Sequence, residues 1–360
     1  MSTNSPVLGA RAENIGSTVI KKNSIKINSI DILRLICAVM VVAIHTQPLT
    51  EYENIAGYFA TYIFPRMGVP FFFAVSGYFY ISGLMQGKKV FLKYLKRLLT
   101  IYILWSFIYY SVDFIQVMRS NSSIAGFIKR SFFNFFISGS HYQLWFFPVL
   151  IFCVILVTVL RKYLIGLSIL SFLLYGGGCL VGAYYKLGSA IPLINSLYHS
   201  NQLETVRRYL FMGLPFFMLG YVLIHVSRKL NSVKNKTVLL ATGIIAVLFL
   251  AEILVVRELR LQSNIIITIF LYPLLLLVLT LCLRYPLTQF DKAARFCKTS
   301  ANFMYYSHPL YMFVLAKALS KIFSISLGNT LEFLLICAST VISSYVIFKV
   351  DNKYLNKLVQ

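Results

Sequence analysis

Apolar residues along this chain come in runs of about twenty, the length a helix needs to cross a bilayer, and short segments rich in Lys and Arg separate the runs. Ten such runs are predicted as spans: 29–49, 62–85, 97–118, 143–161, 163–185, 207–227, 236–256, 264–284, 300–323 and 330–349. The expected fold is all-α, a polytopic membrane protein of about ten helices. Two connecting segments stand out. In 119–142, Phe127, Ile128, Phe132, Phe135 and Phe136 fall largely on one side while Lys129, Arg130 and Asn134 break the other, which predicts an amphipathic helix lying at the interface. The polar segment 186–206 is expected to cap the outer mouth. No sequence repeat is visible, so an inverted-repeat transporter finds no support.

Composition agrees with that reading. Of 360 residues, 58% are hydrophobic and 12% charged, where a soluble domain is nearer one quarter charged. The net charge of +23 would point to nucleic acid in a soluble protein. Here the basic residues lie between the spans, so the positive-inside rule is the simpler cause and no nucleic-acid partner is expected. With the N-terminus inside, 22 of the 34 Lys and Arg fall on the inner side and 10 on the outer, with Arg34 and Arg66 within spans. Both termini are therefore expected in the cytoplasm of a bacterial-type plasma membrane, with the bilayer as a partner. Residues 1–27 are polar and lack a signal-peptide core, so they read as a disordered cytoplasmic tail held inside by Lys21, Lys22 and Lys26. A transmembrane domain at 28–350 and a short cytoplasmic C-terminal tail at 351–360 complete the division. The six Cys show no CxxC pair, so neither a metal site nor a disulfide is expected.

The first span is apolar yet carries Asp31, Arg34 and His45. A helix turns about 100° and rises about 1.5 Å per residue, so Arg34 and His45 share a face within about 20° and sit roughly 16 Å apart. Asp31 lies one turn below Arg34. Three ionisable groups on one stripe predict a central polar cavity walled by this helix. The plainer alternative is an interfacial ion pair and a capped His. In 65–79, Pro65, Gly68, Pro70 and Gly77 are expected to break or bend the second span. Arg66 lies at its outer end and Ser76 deeper. Against them stand snorkelling for Arg66 and close helix packing for Ser76–Gly77. Lys89, Lys93, Lys96 and Arg97 lie near one face of the next helix and suit a polyphosphate or anionic lipid headgroups. Further candidates are Trp145 in HYQLWFFP, Arg208 at the outer start of the sixth span, and His308 beside Pro309. Glu252 and Glu332 are intramembrane acids, with Arg257 and Lys321 as possible partners.

These stretches together resemble the acyltransferase-3 family of integral membrane proteins. The first-span Arg34 and His45 fit its Arg/His signature. GVPFFFAVSGYF, the basic run ending in RLLTIY, QLWFFP, LFMGLPFFMLGY and MYYSHPLY resemble its landmarks in order, across about residues 28–350. The resemblance implies about ten helices around a central cavity and acyl transfer from coenzyme A to a carbohydrate hydroxyl. More narrowly, the chain is similar to the N-terminal membrane domain of the membrane-bound serine racemases of glycopeptide (vancomycin) resistance. In those proteins this domain precedes a cytoplasmic pyridoxal-phosphate racemase and is thought to supply L-serine. No pyridoxal-phosphate site is expected in this chain, and a racemase domain would join past Gln360. One departure is Lys96–Arg97 where the family usually carries paired Arg; a Lys does not fork onto phosphate.

Three functions follow as expectations. In an acyl-CoA-dependent O-acyltransferase, His45 is the general base, Arg34 binds the donor and Asp31 orients Arg34. Lys93, Lys96 and Arg97 then hold the nucleotide phosphates, and Arg66, Ser76, Trp145, Arg208 and His308 line the substrate cavity. In an L-serine uptake or supply module, Arg34 takes the carboxylate, Asp31 the ammonium and His45 couples a proton. The third is a non-catalytic scaffold or sensor. A homodimer is compatible with all three.

Overall fold

The computed structural model describes residues 26–52, 55–120, 122–263, 267–323 and 328–359. The tail expected at 1–27 thus lies almost wholly outside the described residues. No strand occurs among those described. The main helices are α1 (Asn28–Thr46), α2 (Gly68–Met85), α3 (Phe91–Arg119), α4 (Ile124–Phe136), α5 (Phe146–Val159), α6 (Leu164–Val181), α7 (Leu214–Leu230), α8 (Asn235–Glu258), α9 (Leu271–Arg284), α10 (Asp291–Phe323) and α11 (Asn329–Val350).

Seven described helical stretches are long and apolar enough to cross a membrane: Asn28–Thr46, Ala56–Met85, Phe91–Arg119, Arg161–Val181, Leu203–Leu230, Asn235–Glu258 and Asn329–Val350. The chain is a multi-pass membrane protein. The other three expected spans take different forms. The run at 143–161 is the 14-residue helix α5, and those at 264–284 and 300–323 belong to a helix pair bent by 83°. Helix α4 forms where the amphipathic pattern placed it, capped by Ser123 Oγ accepting from the Gly126 N–H. Its Ile128, Phe132, Phe133 and Phe136 are exposed, and it is tied to α3 by the Tyr102 and Tyr110 hydroxyls, which donate to the carbonyls of Phe135 and Ser131.

The second span breaks only at its outer end. Residues Phe59–Ile63 form a π-helical turn and Phe64–Met67 a 3-10 turn. From Gly68 onward α2 is continuous, contrary to the expected breaks at Pro70 and Gly77. Pro70 falls in the first turn, where a missing N–H costs no helical hydrogen bond. Gly77 is instead a contact: a Cβ there would lie 1.9 Å from the Phe217 carbonyl oxygen, and one at Gly220 would lie 2.1 Å from the Tyr78 nitrogen. These two glycines let α2 and α7 touch backbone to backbone, the close approach small residues permit in membrane bundles. Helix α10 packs most extensively on α1, and next on α11.

Glu252 does not pair with Arg257. Its carboxylate accepts from the backbone N–H groups of Ile269 and Phe270 and from the Tyr184 hydroxyl. It therefore satisfies donors at the start of α9, where the helix dipole favours a negative charge. Arg257 lies over the Tyr58 ring at 4.0 Å. The side chain of Lys321, the expected partner of Glu332, is outside the described residues.

Candidate functional site

Helices α1, α2, α3, α5 and α10 enclose a cavity of about 570 Å³. Asp31 and Arg34 face it from α1 and form an ion pair at 2.6 Å, with side chains 23% and 15% exposed. Ser76 and Phe79 face it from α2, and the Arg34 guanidinium lies over the Phe79 ring at 5.8 Å. Tyr94, within hydrogen-bonding reach of Ser76, and Arg97 come from α3. Helix α10 supplies Arg295, Lys298, Asn302, Tyr305 and Tyr306, spaced to recur on one helical face. The lining thus carries the cations Lys26, Arg34, Arg97, Arg295 and Lys298 against one acid, Asp31, among the described residues. Lys26 is itself paired with Asp291 at 2.6 Å.

His45 is not in this lining. It stacks on His308, ring centroids 5.2 Å apart, and tilts against Tyr142 at 4.8 Å. Tyr142 also meets His141 at 4.6 Å, and His141 stacks on Tyr109 at 4.2 Å. Three imidazoles are thereby gathered from three separate stretches of chain. Gln143 fixes part of this group. Its side-chain amide nitrogen, Nε2, donates to the Tyr306 carbonyl, which leaves Oε1 to accept from His141 Nδ1 at 2.5 Å. His308 is oriented by its own helix: Nδ1 lies 3.1 Å and 3.0 Å from the carbonyls of Met304 and Tyr305, so it carries the proton. Its Nε2 is buried without a partner, a bare acceptor. No group of three His, Cys, Asp or Glu that could hold a metal is found among the described residues.

Three rings mark the end of the lining nearest the histidines: the first lining residues of α2 and α5, and the one a turn before His308 on α10. Phe72, Phe146 and Tyr305 all line the cavity, with centroid separations of 6.4 Å, 5.5 Å and 5.7 Å. Along α10 the order is Arg295 and Lys298, then Tyr305, then His308. The single pocket expected to hold both Arg34 and His45 is therefore two compartments: a cationic cavity and a histidine group, divided by aromatic rings.

The other candidates separate accordingly. Of the five expected cavity residues, Ser76 lines the cavity and His308 joins His45. Arg66 donates to the Tyr62 carbonyl at 3.3 Å, and Arg208 lies over Trp145 at 5.2 Å while pairing with Glu204 at 2.7 Å. These three stand apart from the cavity lining. Of the basic run, Arg97 lines the cavity, and Lys93 and Lys96 do not. Lys96 fails for a helical reason, being turned by about 100° from Arg97. Sequence reasoning missed Arg295, Lys298 and Asn302. Their signal is an i, i+3, i+7 pattern, but α10 starts at Asp291, nine residues before the expected span, so hydropathy alone leaves Arg295 and Lys298 between spans.

A helical membrane bundle with a cationic cavity and a nearby histidine group defines the class. Residues 27–349 match the acyltransferase-3 family, described as an acyltransferase domain; this chain belongs to that family. It is 27% identical over 338 residues to an amino-acid racemase of Enterococcus faecalis, covering 91% of this chain and 46% of that protein. It is 31% identical over 133 residues to a serine/alanine racemase of Enterococcus gallinarum, covering 35% of this chain and 18% of that protein. The chain thus spans less than half the length of these curated relatives. No solved structure matches it.

Proposed function

We propose that this chain transfers an acyl group from a coenzyme A thioester, supplied from the cytosol, to a hydroxyl acceptor. The observation that carries this reading is the charge of the cavity, in which Arg34, Arg97, Arg295 and Lys298 converge with Asp31 as the one acid among the described lining residues. Cations gathered on one cavity with a single acid beside them call for an anion, and phosphates meet that demand best. Arg34 and Arg97 bind the donor, and Asp31 holds Arg34 in place. His45 takes the proton from the acceptor hydroxyl as its oxygen attacks the thioester carbonyl. The C–S bond then breaks, and the departing thiolate takes the proton. Phe72, Phe146 and Tyr305 must part for the thioester to reach the imidazole.

The orientation is part of the proposal. We take the ten segments as ten crossings, α9 and α10 counted separately, with both termini in the cytoplasm of a plasma membrane, as the Lys and Arg distribution supports. Purified protein in nanodiscs, given acetyl coenzyme A and a polyol acceptor, should release thiol and acylate the acceptor. His45→Ala and Arg34→Ala should each lower transfer by roughly 100-fold or more while insertion is retained. Normal transfer by both variants overturns the mechanism.

A second reading rests on the relatives named racemases and on the adjacent Asp31 and Arg34, whose opposite charges suit a zwitterion. On that reading the domain supplies L-serine. Uptake of labelled L-serine into proteoliposomes tests it, and uptake no greater than in empty vesicles sinks it.

A further inference from the structure

The cavity does not end at Arg97. A groove of about 690 Å³ continues from it and shares Arg97, Ile101, Arg295 and Lys298 with the cavity lining. Its far wall is the segment after α11. Asp351 turns the chain with a φ of 44°, Lys353–Asn356 forms one helical turn, and the following residues run back onto the bundle. There the Trp105 indole N–H donates to the Leu358 carbonyl at 3.1 Å, and the Asn302 side-chain amide donates to the Val359 carbonyl at 2.8 Å. Val359 is 4% exposed. These anchors come from α3 and α10, the two helices that also carry Arg97, Arg295 and Lys298. The segment is therefore built into the groove.

We propose that residues 351–359 form a strap that completes a binding site for the nucleotide end of the donor, with Lys357 as the fourth cation on its phosphates. This deepens the acyl-donor reading and rests on it. Two features of the groove point to a nucleotide. Arg97, Arg295, Lys298 and Lys357 come from three elements and face one space, an arrangement that suits more than one phosphate. Phe348, Ile101 and Val359 supply an apolar surface in the same groove, which suits a flat heteroaromatic base. Asp351 is the groove's one acid among the described lining residues, and its carboxylate is turned to the Asn356 amide at 2.8 Å. The strap lies outside the apolar spans, so it can carry ligand specificity without burying charge in lipid.

The test uses the full chain in nanodiscs of zwitterionic lipid, so that no anionic headgroup competes, and calorimetry with coenzyme A and with S-acetylpantetheine, which lacks the nucleotide. Lys357→Ala should weaken coenzyme A binding roughly tenfold, the loss of one charge-assisted phosphate contact. Lys357→Glu should weaken it further, Lys357→Arg should retain it, and S-acetylpantetheine should bind all four proteins alike. Coenzyme A binding to wild type, Lys357→Ala and Lys357→Glu with equal affinity overturns the strap and leaves the donor reading standing. Absence of coenzyme A binding to the wild-type protein overturns the donor reading itself.

Discussion

Asp31→Asn separates the two functional readings by the sign of its effect. The substitution keeps shape and removes the one acid among the described lining residues of the cavity. A phosphate oxygen bound to the far side of the Arg34 guanidinium would sit about 2.8 Å from its donor nitrogen, while Asp31 lies 2.6 Å from the same group on the other side. Allowing for the width of the guanidinium, the two anions are roughly 7 Å apart, and their repulsion is about 2 kcal/mol at an effective dielectric of about 20. The Asp31 side chain is 23% exposed, so solvent screening lowers this to the order of 1 kcal/mol. Coenzyme A should then bind Asp31→Asn roughly five- to tenfold more tightly than wild type. Turnover should fall, because Arg34 loses the partner that fixes it. If Asp31 instead holds a substrate ammonium, the same change should weaken L-serine binding and leave coenzyme A indifferent. Equilibrium binding of both ligands to protein in nanodiscs at fixed ionic strength decides between them. A coenzyme A affinity that falls or stays constant refutes the cationic-cavity argument.

Other substitutions probe the scaffold. Gly77→Ala should cost about 1–3 kcal/mol or abolish folding, because its Cβ meets the Phe217 carbonyl at 1.9 Å, whereas Gly243→Ala, with nothing within 4 Å, should be neutral or stabilising; equal thermal midpoints in detergent would contradict the α2–α7 contact. Glu252→Gln should cost about 1–3 kcal/mol, since one amide oxygen replaces two carboxylate oxygens that serve two backbone N–H groups and a hydroxyl; an unchanged unfolding midpoint would exclude this capping role. Burial holds the His141 imidazole below its ordinary value of 6.5, so the stability it contributes is present above that pH and is lost as pH falls. The melting midpoint should therefore drop between about pH 7 and pH 5, and drop less in His141→Asn; parallel profiles would count against it. Phe72→Ala, which opens the ring barrier, should raise hydrolysis of the donor in the absence of acceptor while leaving coenzyme A affinity unchanged, and a chromatographic assay of free thiol reads the ratio.

Much of the fold was legible because bilayer thickness dictates run length. Helix α1 at Asn28–Thr46 and α11 at Asn329–Val350 lie within a few residues of the predicted 29–49 and 330–349, and α4 follows directly from its phenylalanine stripe. What hydropathy misjudged was where a helix continues past the apolar window. The first nine residues of α10 carry four charges, yet a helix does not end where hydrophobicity does, and hydropathy alone leaves Arg295 and Lys298 outside the span. The Pro70 and Gly77 readings failed for a different reason. Proline is harmless in a first turn, and a glycine inside a membrane helix marks a neighbouring backbone as readily as a bend. For the site, Asp31 and Arg34 were found from periodicity within one helix. Their separation from His45 was not, because the dividing rings come from α2, α5 and α10, and no single stretch of sequence records how three helices meet.

That division bears on the chemistry. Charged phosphates cannot cross an aromatic barrier without losing their solvation, while a neutral arm can. On the proposed acyl-donor reading, cations in the cavity and groove hold the donor by the part that must stay behind. The rise from Arg34 to His45, roughly 16 Å along α1, is left for the uncharged, acyl-bearing part to span. A small zwitterion has no such neutral extension: its carboxylate and ammonium would both have to leave Arg34 and Asp31 to pass the rings. The same three rings that separate the compartments thus favour a long ligand anchored at one end over a small one carried through.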